Sequence, residues 1–389
     1  MRYAYPLIGL VLAVSLPASG DWPMYAHDPA RTGVADGDGP SRLEVQWSAQ
    51  LDGRVDSSPA VSNGVVYVGS SGGSVYAVEA STGHIVWQRR LGGPVTSSPC
   101  VADGLVFVGC VDTFAYALDA RTGTVVWRHR TDGPITASPA FLEGTTYWAS
   151  TPGRVFALGL ADGAEMWRRE LGVRVIASPC VGSGALYIGD LGGTLHALRL
   201  ADGAPVWRYE AWGPPGGPKD RFLATAALVD SVLFIGTQDM WHGEPAPPEA
   251  DPDLHLQAVD VATGQARWTL KMPGSVMGSP AVGDGTVYAA GNEGYPSSRA
   301  AVYGVDAATG QPRWRWPEKS VEAAVVHTAP AVAGEMLYLA DLDGTVYIFN
   351  RLTGAPVALH STGAPVYSSP AVSDGRLFIG SGDGKLYCY

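Results

Sequence analysis

The chain has 389 residues, of which 46% are apolar, and its 26 basic and 37 acidic side chains leave a formal net charge of −11. That apolar content excludes a disordered chain, and the acidic balance at only 16% charged residues makes nucleic acid or an anionic membrane surface a poor partner. Fifty glycines and 29 prolines set among so many apolar residues require many short elements, each ended quickly.

Residues 1–20 read as a signal peptide: Arg2 supplies a thin positive region, Leu7 to Leu16 is a short apolar run, and Ala18-Ser19-Gly20 offers a small-residue cleavage site. The run is too short to span a hydrocarbon layer of about 30 Å. No cysteine follows it for lipid attachment. A periplasmic or secreted protein with no integral membrane segment after cleavage is expected, beginning with a lead-in segment over 21–41. Of the four cysteines, Cys100, Cys110, Cys180 and Cys388, none forms a Cys-x-x-Cys pair. A two-residue turn at Asp103-Gly104 sets Cys100 opposite Phe107 and away from Cys110, so four free, mostly buried thiols are expected.

From residue 42 onward the chain repeats itself. A Ser-Pro-Ala-Val-like stretch recurs with central prolines at Pro59, Pro99, Pro139, Pro179, Pro280, Pro330 and Pro370, and Ala226 takes the place in one deviant copy. The first four are 40 residues apart. Each unit begins there, turns at a pair such as Asn63-Gly64, and continues as an alternating run such as Val65 to Val68. A Gly-rich turn leads to a short run such as Ser74 to Ala77, and Thr82-Gly83 leads to a last run ending near Arg90. No segment sustains a 3.6-residue apolar period. Four antiparallel strands, A to D, in eight units predict an all-β, eight-bladed β-propeller as one domain over 42–389. The chain stops after a C-like strand, Lys385 to Tyr389, and Arg42 to Trp47 resembles the missing strand D, so an N-terminal outer strand is expected to complete the last blade and close the ring.

One tryptophan stands near the end of each unit, at Trp47, Trp87, Trp127, Trp167, Trp207, Trp268 and Trp314, with Ala358 in a degenerate copy. A large aromatic at one place per blade is expected to wedge neighbouring blades together. The Ala-x-Asp-x-x-Thr-Gly-x-x-x-Trp element, clearest at Ala117 to Trp127 and Ala258 to Trp268, resembles the tryptophan-docking motif of propellers with pyrroloquinoline quinone (PQQ) repeats. The opening Asp21 to Gly33 is similar to the start of stand-alone members of that group. The resemblance covers nearly the whole chain after residue 20. It implies one of two functional kinds: quinoprotein dehydrogenases, which hold PQQ and calcium over the channel, or non-enzymatic binding scaffolds such as the outer-membrane assembly lipoprotein BamB. This sequence lacks both the vicinal disulfide of many of the alcohol dehydrogenases and the lipid-attachment cysteine of the assembly lipoprotein.

Departures from the 40-residue period mark candidate functional loops. Extra residues fall at 211–222, 238–253, 291–299 and 316–320, in connections from strand D to A or from B to C, which open on one face of an up-and-down blade. That face is the expected partner-binding surface, with Trp212, Trp241 and Tyr295 as candidate contacts, against the alternative of drift in tolerant surface loops. Arg54, Arg174 and Arg221 each stand five residues before the repeat proline or its substitute, and Asp56, His327 and Tyr367 stand three before it. Residues two apart in an extended chain share a face, so these six are candidates for a ring of ligand-binding groups at the channel mouth, suited to an anion or a peptide carboxylate. The alternative is a solvated lining in which Arg54 pairs with Asp56. Glu249, Asp251, Asp253 and His255, near His242 and Glu244, carry no recognised ligand spacing, and Asn292-Glu293 reads as a turn, so no metal site is expected. No nucleophile motif and no catalytic residue is found.

The expected function is therefore a non-catalytic binding or assembly scaffold for a protein or peptide in the cell envelope, with no cofactor and a monomer as the default. A PQQ- and calcium-dependent dehydrogenase of an alcohol or sugar is the alternative.

Overall fold

The computed structural model describes residues 20–211, 219–238, 254–272, 275–293, 299–317 and 325–389. Every regular element among them is a strand. The strands form eight antiparallel sheets of four, each in meander order, arranged as the blades of a β-propeller. Blade 1 shows the pattern: strand A is Ala60–Ser62, B is Val65–Gly69, C is Ser74–Glu79 and D is Ile85–Arg90. In six of the eight blades the A-to-B turn is a two-residue turn with both φ values positive, as at Asn63 and Gly64 (52° and 73°) or Asp103 and Gly104 (48° and 75°), the mirror-image turn whose twist matches that of the strands it joins. Strand C is buried along most of its length, whereas D alternates half-buried with exposed residues because only one of its faces meets a neighbour.

Closure occurs as expected, with one correction to its extent. The N-terminal strand is Trp47–Gln50, and it pairs antiparallel with Lys385–Cys388 in the register Trp47 to Cys388. Residues 42–46 lie outside the strand, although Gln46 N still donates to Cys388 O at 2.9 Å. In the other tryptophan-bearing blades strand D starts two residues before its tryptophan, as at Ile85 before Trp87, so the closing strand is the short version of this element.

The blade junctions rest on this tryptophan. Trp47, Trp87, Trp127, Trp167, Trp207, Trp268 and Trp314 donate their indole N–H to a backbone carbonyl of the following blade at 2.6–3.0 Å. Each ring lies under the glycine of that blade's turn from C to D, Gly83, Gly123, Gly163, Gly203, Gly264, Gly310 and Gly354 in turn. A Cβ there would sit 2.4–2.7 Å from ring atoms, and every one of these glycines has positive φ. The Thr-Gly of the repeat is thus both turn and socket. Within its own blade each tryptophan packs on an aromatic of strand B, from Phe378 for Trp47 to Tyr288 for Trp314, at 5.8–6.2 Å between centroids. These partners were not singled out in the sequence, although their repeat position marks them.

Two further features organise the inner ring. The residue four before the repeat proline, from Val55 to Val366, is buried in all eight blades, and in five of them it lies against a glycine that ends strand B of the preceding blade. The Ser-Pro serines form a circular relay in which each backbone N–H donates to the hydroxyl of the next blade. It runs Ser58 to Ser98, Ser138, Ser178, Thr225 and Ser279, then Ala329 to Ser369 and back to Ser58, at 2.8–3.0 Å. Ala329 has no hydroxyl and breaks it once.

The four cysteines are free and buried, and Cys100 faces Phe107 across the hairpin. Burial pushes the Cys100, Cys110 and Cys388 thiols up to about 12 and also raises that of Cys180. A thiol reagent is therefore expected to find no reactive cysteine in the native protein and four in denaturant without reductant; fewer than four would contradict the four free thiols. Trp127→Ala should cost about 3–5 kcal/mol in denaturant unfolding, the scale for a large buried aromatic, whereas Val126→Ala, on the exposed face beside it, should change stability by less than about 0.5 kcal/mol.

Candidate functional site

The connections from D to A and from B to C meet at one end of the channel. In blades 1 to 4, 7 and 8 the carbonyl of the residue five before the repeat proline accepts an N–H from the B-to-C turn of the same blade, as from Ser71 to Arg54 and from Leu191 to Arg174. In blade 5, Arg221 and Gln238 exchange both backbone hydrogen bonds, so the insertion after Gln238 departs beside Arg221. Trp212, Trp241 and Tyr295, with most of the inserted segments, lie outside the described residues, as does the leader up to residue 19.

The six candidate residues fall into two groups on opposite sides of this mouth. Arg54, Asp56, Tyr367 and His327, from blades 1, 8 and 7, form a continuous set. Arg54 Nη2 lies 2.9 Å from Asp56 Oδ2, its guanidinium carbon lies 5.9 Å from the centre of the Tyr367 ring, and His327 meets Tyr367 edge-to-face at 6.0 Å. Asp56 Oδ1 is buried and accepts no hydrogen bond, and neither does Thr96 Oγ1, at the same repeat position in blade 2. Arg174 and Arg221 belong to blades 4 and 5, and no contact joins them to the first group. Neither forms an ion pair among the described residues. Arg174 is exposed; Arg221 is half-buried with its Nε lacking any acceptor. Arg54 is thus paired locally, while the other two guanidinium groups have no carboxylate partner among the described residues.

The row three before the repeat proline reads Asp56, Thr96, Thr136, Ile176, Leu223, Met277, His327 and Tyr367 around the channel, all half-buried except Tyr367, which is exposed. Ile176, Leu223 and Met277 give blades 4 to 6 an apolar wall at the side where Arg174 and Arg221 stand. Sequence reasoning passed over these three, although the same count back from the proline finds them.

Two carboxylate and imidazole pairs, one buried and one partly buried, support the connections that carry Arg174 and Arg221. His196 Nε2 lies 2.7 Å from Asp190 Oδ2, and His255 Nδ1 lies 3.2 Å from Asp220 Oδ2. In blades 1, 2, 7 and 8 the position of His196 is a tyrosine in contact with an aspartate, such as Tyr116 with Asp112 or Tyr347 with Asp341. His196 is the variant of a recurring brace. Asp190 also accepts from the backbone of Gly192 and Thr194, and its carbonyl receives Phe222 N, next to Arg221. Burial would raise the Asp190 carboxyl, but the His196 and backbone hydrogen bonds outweigh it and hold the group below the usual carboxylate range.

Of the candidate ligands for a cation, Glu249, Asp251, Asp253, His242 and Glu244 lie outside the described residues, and the two that are described, His255 and Asn292, are otherwise engaged. His255 is buried against Asp220, and Asn292 is pinned to the next blade, its Oδ1 accepting from Val326 N at 2.8 Å and its Nδ2 donating to Val326 O at 3.3 Å. Among the described residues no group of three His, Cys, Asp or Glu side chains is placed to hold a metal ion. PQQ is a planar tricarboxylate held with calcium, and calcium requires six to eight oxygen ligands. Among the described residues of the mouth, Asp56 alone holds a buried carboxylate oxygen that accepts no hydrogen bond, and one such oxygen falls short of a calcium ligand set.

Fold and mouth together define an eight-bladed propeller of tryptophan-docked, PQQ-type repeats. The model of a family described as outer membrane protein assembly factor BamB matches residues 41–138 and 112–244, more than half of the chain, and the chain belongs to that family. BamB from Moraxella catarrhalis is similar in structure over 89% of this chain and 98% of its own, with a TM-score of 0.71 and 22% identity. A quinohemoprotein alcohol dehydrogenase from Comamonas testosteroni matches 95% of this chain and 80% of its own, at a TM-score of 0.75 and 16% identity. At these identities the likeness is one of fold. The serine/threonine-protein kinase AfsK of Streptomyces griseus is 29% identical over 181 residues, 44% of this chain, and the match spans 20% of that kinase's length. No helix among the described residues is long and apolar enough to cross a membrane.

Because the Asp190 carboxyl is depressed in the folded protein, its contribution is fully present above the unfolded carboxylate value of about 4 and is lost as pH falls through the lower folded value. Asp190→Asn should lower Tm at pH 7 and flatten the loss of Tm between pH 5 and about 2; parallel acid profiles for variant and wild type would contradict the assignment.

Proposed function

We propose that this chain is a non-catalytic scaffold of the cell envelope that holds a peptide or protein segment at the insertion-bearing mouth of its channel. The observation that carries this reading is the pair Arg174 and Arg221, two cations on adjacent blades without carboxylate partners, standing over the apolar wall of Ile176, Leu223 and Met277. An exposed unpaired arginine beside a half-buried one suits an anion, because the guanidinium fork matches a carboxylate and is weakly hydrated. The apolar wall suits the side chain next to that carboxylate. The family match supports a partner in the envelope, as does the apolar leader at 1–20 for export. The unfilled acceptors of Asp56 and Thr96 on the other side of the mouth suit a backbone amide of the same segment.

Fluorescent peptides ending in an apolar residue and a free carboxylate test the reading directly. They should bind saturably, their amidated forms should bind more weakly, and Arg174→Ala with Arg221→Ala should weaken the free acid by at least about tenfold, the scale of hydrogen bonds to charged groups. Equal binding of acid and amide, or an unaffected double variant, would sink the carboxylate site. Mixing the protein with PQQ and calcium should give neither saturable binding nor dye-linked oxidation of alcohols or sugars, and turnover would replace this reading with the dehydrogenase one.

A further inference from the structure

Strand A is the inner edge of every blade, so the backbone groups on its channel side have no partner within the sheet. Residues 21–35 supply one. In six blades the N–H of the middle residue of strand A donates to a carbonyl of this segment: Val61 to Trp22, Val101 to Pro23, Val181 to Pro29, Leu228 to Ala30, Val282 to Thr32 and Val332 to Gly33, at 2.7–2.8 Å. The segment winds round the inner face from blade 1 to blade 7, at the level of strand A and beyond the mouth described above. Where it skips blade 3, Arg31 reaches across. Its fully buried guanidinium donates from Nε to Pro179 O at 3.0 Å, from Nη2 to Pro139 O at 2.9 Å, and from Nη1 to Tyr25 O at 2.6 Å. Tyr25 enters the break in the hydroxyl relay, with its hydroxyl 2.9 Å from that of Ser279, the group facing the position that Ala329 leaves empty.

These contacts are those of a bound peptide. Ala26, His27 and Arg31 hold φ values of 53°, 75° and 62°, a left-handed conformation that is unfavourable for non-glycine residues and that a free segment would not keep. The ring imposes it. Between the segment and the closing strand, residues 36–38 are exposed, and a side chain at Gly37 would meet nothing within 4 Å.

We propose that the inner face of the ring is a peptide-binding site whose resident ligand is residues 21–35, so that the channel is plugged at the strand A level and open only at the insertion-bearing end. The ligand class is a turn-rich peptide whose folded carbonyls meet successive strands A, with a tyrosine for the gap at Ala329 and an arginine for the carbonyls of blades 3 and 4. The proposal is independent of the carboxylate site.

A protease site inserted at Gly37 of the full chain, cut after folding, tests it. The cut segment should stay with the ring through size-exclusion chromatography, and a fluorescein-labelled synthetic peptide of residues 21–35 should exchange into the cut protein and not into the uncut one. An Arg31→Ala peptide should compete at least tenfold less well, and a Tyr25→Phe peptide a few-fold less well. Immediate loss of the segment from a ring that keeps its circular dichroism, or equal competition by the Arg31→Ala peptide, would overturn the proposal. Unfolding of the ring on cutting would also overturn it, since the segment would then be core and not ligand.

Discussion

The structure depends on one contact made seven times: an indole from strand D of one blade lying beneath the glycine that turns strand C into D in the next. The contact joins three physical requirements. The glycine must have positive φ to turn the chain, it must lack a Cβ so that the ring can approach to contact distance, and the indole N–H must find an acceptor because it is taken out of water. A blade has too little core to be stable by itself, so the junctions make the ring a single cooperative body. The junction from blade 7 to blade 8 has neither tryptophan nor Thr-Gly turn, since Ala358 replaces the one and the last sheet ends before the other. There His360 packs on Tyr387 and Tyr389 at 6.5 and 5.3 Å, and the closing strand supplies the remaining edge.

A ring held this way places equivalent residues of all eight repeats at equal depth along the channel. Depth then decides what each repeat position can vary. The position four before the proline is uniformly apolar because it fills the seam between blades. The positions just outside it face the channel and are free to differ, so chemical character is distributed around the circle instead of along the chain. That is how an apolar wall with two arginines lacking carboxylate partners comes to stand opposite an aromatic and acidic arc. Asp56 pairs with Arg54 at 2.9 Å, so the guanidinium groups without a carboxylate partner are those on blades 4 and 5. The connections bearing those arginines are braced from below by aspartate and histidine pairs, which fix the backbone while leaving the guanidinium groups uncommitted.

The opposite side of the inner ring solves a different problem. Eight short inner strands present eight edges to the channel, and edges attract strands. Residues 21–35 answer this within the same chain, with backbone carbonyls for six edges and an arginine for the blade that the backbone passes by. A channel sealed in this manner has one entrance, and the described ends of the connections that depart from the repeat length, such as Arg221 and Gln238, stand beside it.

The architecture was legible in the residues because it is periodic: proline, turn pair, Thr-Gly and tryptophan recur with the spacing of one blade, and their local chemistry dictates turns and strands wherever they occur. The closing strand and the free thiols followed from the same register, with the strand itself confined to Trp47–Gln50, where it pairs with Lys385–Cys388. The candidate site was legible only as a set of repeat positions. Counting back from the proline finds Arg54, Asp56, Arg174, Arg221, His327 and Tyr367, but it does not show that Arg54 is paired with a carboxylate while Arg174 and Arg221 are not. Pairing across 2 Å to 4 Å depends on rotamers and on which blades adjoin. The serine relay, the Tyr25 hydroxyl at its gap and the burial of Arg31 were decided by the tertiary structure alone. Each joins residues from 40 to more than 250 positions apart, and only ring closure brings such distant segments within hydrogen-bond reach.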